Sequence, residues 1–291
     1  MRKKVIYIMG AGRSGTTLLD IILGNSEDIF SCGELVRFPT LRGIPHGSKK
    51  NDFKYTFWSK IEKKFFSKFP KIITYDDLLT LSMKIEFHRS FLINFFGFLP
   101  SKHLKMYKVY INNLFSSIFE EIDENIIIDS SKYPSRALAL SRYLDYELYC
   151  IYLIRNPAHV VNAFQKKDIE QPSKNYFSAN IYYFIINLYS TFVKFIIYKR
   201  NFVMIKYDDL VDNPMECLKK IESTFKIHLS KSKKLIENNK ELNVGLLFDG
   251  NRIRQSKTIN LKRKAYKKTS GIKNLLPIII NFFWWKEGQK K

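Results

Sequence analysis

Apolar residues along this chain follow two rhythms. Short continuous runs rich in β-branched residues occur at 5–9, 29–32, 126–129, 148–154 and 202–206. Each suits a strand buried on both faces. Between them, apolar positions recur at helical spacing. Leu18, Leu19, Ile22 and Leu23 predict a helix over 16–23. Pro134, Pro157 and Pro214 stand where first helical turns accept proline, and predict helices over 134–145, 157–167 and 214–225. Strands alternating with helices predict an α/β fold with a central parallel sheet flanked by helices. From 45 to 125 Phe and Lys alternate irregularly, with helical stretches near 56–69, 76–97 and 105–122. This region reads as part of one domain spanning 1–291.

Two apolar stretches raise the question of a membrane. Residues 177–198 include Asn180, Asn187, Ser190, Thr191 and Lys194, which argues for a buried amphipathic helix and against a span. Residues 275–285 are too short to cross a bilayer. Ordinary packing of a C-terminal helix is the favoured reading. The alternative is peripheral membrane contact through Phe282, Phe283, Trp284 and Trp285, beside flanking lysines.

The first strand runs into Gly10-Ala-Gly-Arg-Ser-Gly-Thr-Thr17. Strand, glycine-rich turn and helix N-terminus make an anion cradle, because unpaired backbone N–H groups and the positive helix end face the same point. Arg13, Ser14, Thr16 and Thr17 add donors there. The loop departs from the G-x-x-x-x-G-K-[ST] pattern of nucleoside triphosphatases. Counting from Gly10, Thr16 occupies the lysine position, and the cation sits earlier, at Arg13.

Net charge is +22, which favours anionic ligands. Lysine is spread along the whole chain, so a dedicated nucleic-acid interface is not expected. Cys32, Cys150 and Cys217 stand far apart, which excludes a disulfide framework and a cysteine zinc site. With no signal peptide after Met1, the chain reads as cytoplasmic.

Polar residues follow several strand ends, where open α/β sheets bind ligands. They are Cys32-Gly-Glu34-Leu-Val-Arg37, Asp129-Ser-Ser-Lys132-Tyr-Pro134 and Leu153-Ile-Arg155-Asn156-Pro157. Read structurally, Glu34 pairs with Arg37, Ser130 or Ser131 caps the next helix, and Arg155 pairs with Asp145 or Asp168. Asp208 and Asp209 read as turn and capping residues, not a metal pair. Further on stand Gly250-Asn251-Arg252, then Arg254 and Lys257.

In this order the segments resemble those of sulfotransferases that use 3′-phosphoadenosine 5′-phosphosulfate (PAPS). The resemblance covers most of the chain, and is weakest over about 45–120. It implies the P-loop-like sulfotransferase fold and sulfuryl transfer to a hydroxyl acceptor, with no metal required. It implies that Gly12, Arg13, Ser14, Gly15, Thr16 and Thr17 hold the 5′-phosphosulfate and Arg155 the 3′-phosphate. Gly250, Asn251 and Arg252 would close over the nucleotide. Glu34 would be the general base, in a Gly-Glu-x-x-Arg pattern similar to that of protein-tyrosine sulfotransferases. Arg13 and Lys132 would stabilise the leaving phosphate. The region about 45–125 would flank the acceptor cleft. The chain departs from the family at Ala163, where a serine usually contacts the 3′-phosphate, and at Asn156, where aspartate is usual. The neighbouring Asn162 could substitute for that serine. Two other readings stay open: a P-loop small-molecule kinase, and a non-catalytic basic module for nucleic acid or an anionic surface.

Overall fold

A strand that is apolar on both sides needs cover on both. In β1 (Lys4–Gly10) Val5, Tyr7 and Met9 face one side and Ile6 and Ile8 the other, all fully buried. The computed structural model describes residues 2–166, 173–197, 201–261 and 272–287. In chain order β1 leads to α1 (Thr16–Gly24), β2 (Ile29–Ser31), α2 (Phe53–Ser67), α3 (Tyr75–Ile85), α4 (Phe91–Phe95) and α5 (Ser101–Phe119). Then come β3 (Ile126–Lys132), α6 (Pro134–Tyr143), β4 (Glu147–Ile154), α7 (Pro157–Gln165), α8 (Tyr176–Ile196) and β5 (Phe202–Lys206). The chain continues through α9 (Tyr207–Asp212), α10 (Pro214–Phe225), α11 (Ser230–Glu237), β6 (Leu242–Asn243), β7 (Thr258–Ile259), α12 (Ile272–Ile280) and α13 (Phe282–Glu287).

The five predicted strands form one sheet in the order β2-β3-β1-β4-β5, and every pairing is parallel. Val5, Tyr7 and Met9 join a core with α2, α3, α5 and α6. Ile6 and Ile8 join the opposite core with α1 and α10. The antiparallel pair β6–β7 was not foreseen. Nor was α9, where a turn was expected; Asp208 and Asp209 lie in its first turn and do not cap it by side-chain hydrogen bonds.

The stretch 76–97 is not one helix. It breaks after Ile85, because Glu86 is fully buried and Phe87 is extended. The Glu86 carboxylate accepts from Tyr107 at 2.8 Å and also from Ser82 and Arg136. Arg136 Nε donates to Asp129 at 2.8 Å, so one buried guanidinium joins α6, β3 and the break. The residues 177–198 do form a long helix, α8, whose last predicted residue, Tyr198, lies outside the described residues, as does Lys167 at the predicted end of α7. Helix α8 buries one face, as expected, with Ala179, Tyr183, Ile186 and Val193 beside Asn180, Asn187 and Ser190; Phe177, Ile181 and Phe195 on the outer face are exposed. No helix among the described residues is long and apolar enough to cross a membrane.

Asp20 of α1 ties three elements together. Its carboxylate accepts from Ser31 Oγ at 2.6 Å, Ser130 Oγ at 2.6 Å and Gly33 N at 3.1 Å. Complete burial pushes its carboxyl up to about 7, against the opposing pull of those donors. The folded chain therefore holds a proton here that an unfolded chain releases near pH 4. Stability from this group is full below pH 4 and falls as pH rises to about 7, by on the order of a few kcal/mol. Asp20→Asn should flatten that window while lowering stability at pH 5 by about 1–2 kcal/mol, through mismatched donors. Urea midpoints of both proteins between pH 4 and 8 check this; parallel pH curves would refute it.

Candidate active site

The site forms where β1, β3 and β4 end side by side. Gly10, Lys132 and Ile154 are their last residues, so the three following loops meet at one edge of the sheet. This is where open parallel sheets bind ligands.

The glycine loop is held from outside. Gly15, just before α1, has φ +95°, and a Cβ there would lie 2.3 Å from the Tyr207 ring. Only glycine fits both the left-handed backbone and the close ring. Gly12 N donates to Tyr182 Oη at 3.0 Å, and Asn251 N donates to Thr17 Oγ1 at 3.1 Å. Ser14 Oγ is buried without a hydrogen-bond partner. Arg155 Nη1 donates to Arg13 O at 2.7 Å, and its guanidinium lies 4.3 Å from the Tyr207 ring centre. Of the structural partners expected for Arg155, Asp145 pairs instead with Lys108 at 2.8 Å, and Asp168 lies outside the described residues.

Two cavities open at this edge. The larger, about 490 Å³, is lined by Arg13, Gly15 to Thr17, Arg155, Ala163 and Asn251. The smaller, about 350 Å³, is lined by Gly12, Glu34, His88, Tyr133, Tyr182 and Gly250. Lys132 lines both. Its ammonium pairs with the Glu34 carboxylate, and both side chains are largely buried. Lys132 has φ +76° and sits at a bulge, where the β1–β3 register slips between Tyr7 and Met9. Bulges commonly re-aim a side chain. Here the result is a lysine between two compartments.

Several expectations change. Glu34 pairs with Lys132 and not with Arg37, which lies 3.4 Å from Asp249. Neither Ser130 nor Ser131 caps α6: Ser130 donates to Asp20, and Ser131 accepts from Val36 N at 2.9 Å and donates to Asp129. Arg252 is exposed and lines neither cavity; Lys257 is exposed too. Arg254 is the buried cation of that loop, donating to Gly250 O at 2.7 Å and lying 3.4 Å from Asp249.

Asp249 was missed in the sequence. Its backbone O accepts from Glu34 N at 3.1 Å, and its carboxylate faces Arg37, His46 and Arg254. It is the floor on which Glu34 rests. His88, also missed, has Nδ1 buried without a hydrogen-bond partner in the smaller cavity. Burial, then the charges of Arg89 and Lys174, hold its imidazole below the usual range. It is therefore neutral at pH 7, with a free nitrogen to offer a ligand. Tyr133 and Tyr182 are pushed up by burial and stay protonated.

The chemistry available is that of a cation-lined cradle beside a carboxylate. Arg13, Lys132 and Arg155 can neutralise a polyanion, and Glu34 can accept a proton. Among the described residues, no group of three His, Cys, Asp or Glu is arranged to hold a metal.

Solved structures with similar folds include the sulfotransferase domain of the Synechococcus PCC 7002 olefin synthase. It is 17% identical with a TM-score of 0.57, over 97% of this chain and 94% of that one. The sulfotransferase domain from the curacin biosynthetic pathway is 15% identical with a TM-score of 0.52, over 96% and 98%. No protein of curated function matches significantly. A profile described as the sulfotransferase family matches residues 5–231, from the first strand through the glycine loop, Glu34, Lys132 and Arg155. That match spans well over half the sequence, and the chain belongs to the sulfotransferase family.

Proposed function

We propose that this chain transfers the sulfuryl group of PAPS to a hydroxyl acceptor, with the donor in the larger cavity and the acceptor in the smaller. The observation that carries the reading is Lys132, which lines both cavities and pairs with Glu34 at their junction. A transfer reaction needs two compartments that share one point, and a base on the acceptor side of it.

The residues divide the work by position. Backbone N–H groups at the start of α1, with Ser14, Thr16 and Thr17, bind the 5′-phosphosulfate. Arg155 takes the 3′-phosphate, clamped between Arg13 O and the Tyr207 ring. Ala163 lines the same cavity and offers no hydroxyl there. Glu34 accepts the proton of the acceptor hydroxyl. The freed oxygen forms a bond to sulfur as the bond between sulfur and the bridging phosphate oxygen breaks. Lys132 and Arg13 balance the charge gathering on that phosphate, and adenosine 3′,5′-bisphosphate leaves. Lys132 can serve both ends because its partner Glu34 becomes neutral on taking the proton. His88 and Tyr182 orient the acceptor in the smaller cavity. No metal ion is needed for this charge balance.

Two measurements test the reading. Adenosine 3′,5′-bisphosphate at a hundredfold excess over Kd should raise Tm by about 5 °C, and ATP or adenosine 5′-monophosphate much less. Equal shifts with all three ligands at matched ionic strength would indicate a generic anion cradle. Glu34→Gln should keep the bisphosphate-induced shift but lower turnover with PAPS by about 10²-fold or more. Near-normal turnover in that variant would remove Glu34 as the base.

A further inference from the structure

The longest helix carries apolar residues on both of its faces. On α8, residues 177, 181, 184, 188, 192 and 195 follow helical spacing along one face about 30 Å long. Phe177 is 70% exposed, Ile181 60% and Phe195 77%. The opposite face buries Ala179, Tyr183, Ile186 and Val193 together with Asn180, Asn187 and Ser190. A helix that only packs on a core keeps its outer face polar.

The stripe continues on both sides. Phe192 contacts the rings of Phe91 and Phe95, and ring contacts then run through Phe96 to Phe98, both well exposed. Phe184 contacts Trp284 at 6.0 Å, and Trp284 contacts Phe283, which is 76% exposed. Leu275 and Ile279 of α12 are exposed as well. Soluble monomers rarely leave so much connected apolar surface open.

Charge identifies the occupant. No Asp or Glu occurs over 87–119 or over 171–207, the two stretches that supply the central patch. The first of these stretches carries Arg89, Lys102, Lys105 and Lys108, and the second Lys174, Lys194 and Lys206. A second copy of this chain would bring the same positive sign to the same face, and would be repelled. An anionic phospholipid surface takes apolar rings into its interface and attracts lysines around them.

We propose that the face formed by α4, α8, α12 and α13 seats the protein peripherally on an anionic lipid bilayer. The rings enter the headgroup boundary without spanning it. This does not depend on the sulfuryl-transfer reading. It also has a geometric consequence: Tyr182, on the other side of α8, lines the smaller cavity. Docking therefore brings that cavity within about one helix diameter of the lipid surface.

Co-sedimentation of the full chain would test this, with vesicles of phosphatidylcholine alone and of phosphatidylcholine mixed with phosphatidylglycerol. Binding is expected to the mixed vesicles only, and to weaken at high salt. The double variant Phe177→Ser with Phe195→Ser removes two exposed rings and should keep the Tm of the parent. It should bind the mixed vesicles about tenfold or more weakly. No binding to mixed vesicles overturns the proposal. So does equal binding by parent and variant, which would leave charge alone as the cause. A dimer that light scattering detects in the parent and not in the variant also overturns it, by giving the face to a second copy.

Discussion

One buried carboxylate sets the spacing of the site. Asp20 lies in α1, the helix that starts at the glycine loop, and accepts from residues at the ends of β2 and β3. Glu34 follows the first of those ends, and Lys132 closes the second. A change in any one arm would move Glu34, Lys132 or the glycine loop relative to the other two. Each hydrogen bond is worth only about 1 kcal/mol net. Their value is positional, because misplacement by an ångström in such a site costs far more in rate than in stability. Burial opposes the charged form of Asp20, so the clamp trades some stability for geometry.

The same trade recurs in the backbone. Arg13 and Lys132 both have positive φ, where a residue with a Cβ costs about 1–2 kcal/mol. Glycine would adopt either conformation without strain, yet each position holds a cation that faces the larger cavity. The surroundings fix both. Arg13 O is held by Arg155, and Lys132 follows Ser130 and Ser131, each tied to a buried carboxylate. Strain at two cations, with rigid support behind each, is consistent with the proposed role of both in holding a polyanion.

How much of this was legible depended on sequence distance. The five strands, the glycine loop, Glu34, Lys132 and Arg155 were visible because each lies within a local pattern, an apolar run followed by a polar turn. The break after α3 was not, since the cause is Arg136, fifty residues away, drawing Glu86 inward. Asp249 was missed for the same reason: it meets Glu34 through a backbone contact across more than two hundred residues. Tyr207 and Tyr182 read as ordinary aromatic residues until the fold set them against Gly15 and Gly12. The loop after Asp249 was recognised, but its buried cation is Arg254 and not Arg252.

Helix α8 shows what periodicity alone leaves open. The apolar stripe along 177–195 is real, but spacing cannot say which way a stripe faces. The inner face mixes Ala179, Tyr183, Ile186 and Val193 with Asn180, Asn187 and Ser190, and polar groups there and on neighbouring elements pair with one another. Tyr183 donates to Arg155 O at 2.5 Å, Tyr152 donates to Asn187 at 2.5 Å, and Tyr182 receives Gly12 N. Buried backbone and hydroxyl groups need these partners, since an unpaired one costs about 1–3 kcal/mol. A helix beside the site therefore gives some inward positions to hydrogen bonding, and here a second apolar stripe also faces outward. Its composition is not explained by the site, because solvated positions tolerate lysine or serine equally well. The phenylalanine and isoleucine there are the residues that a surface covered during function would carry.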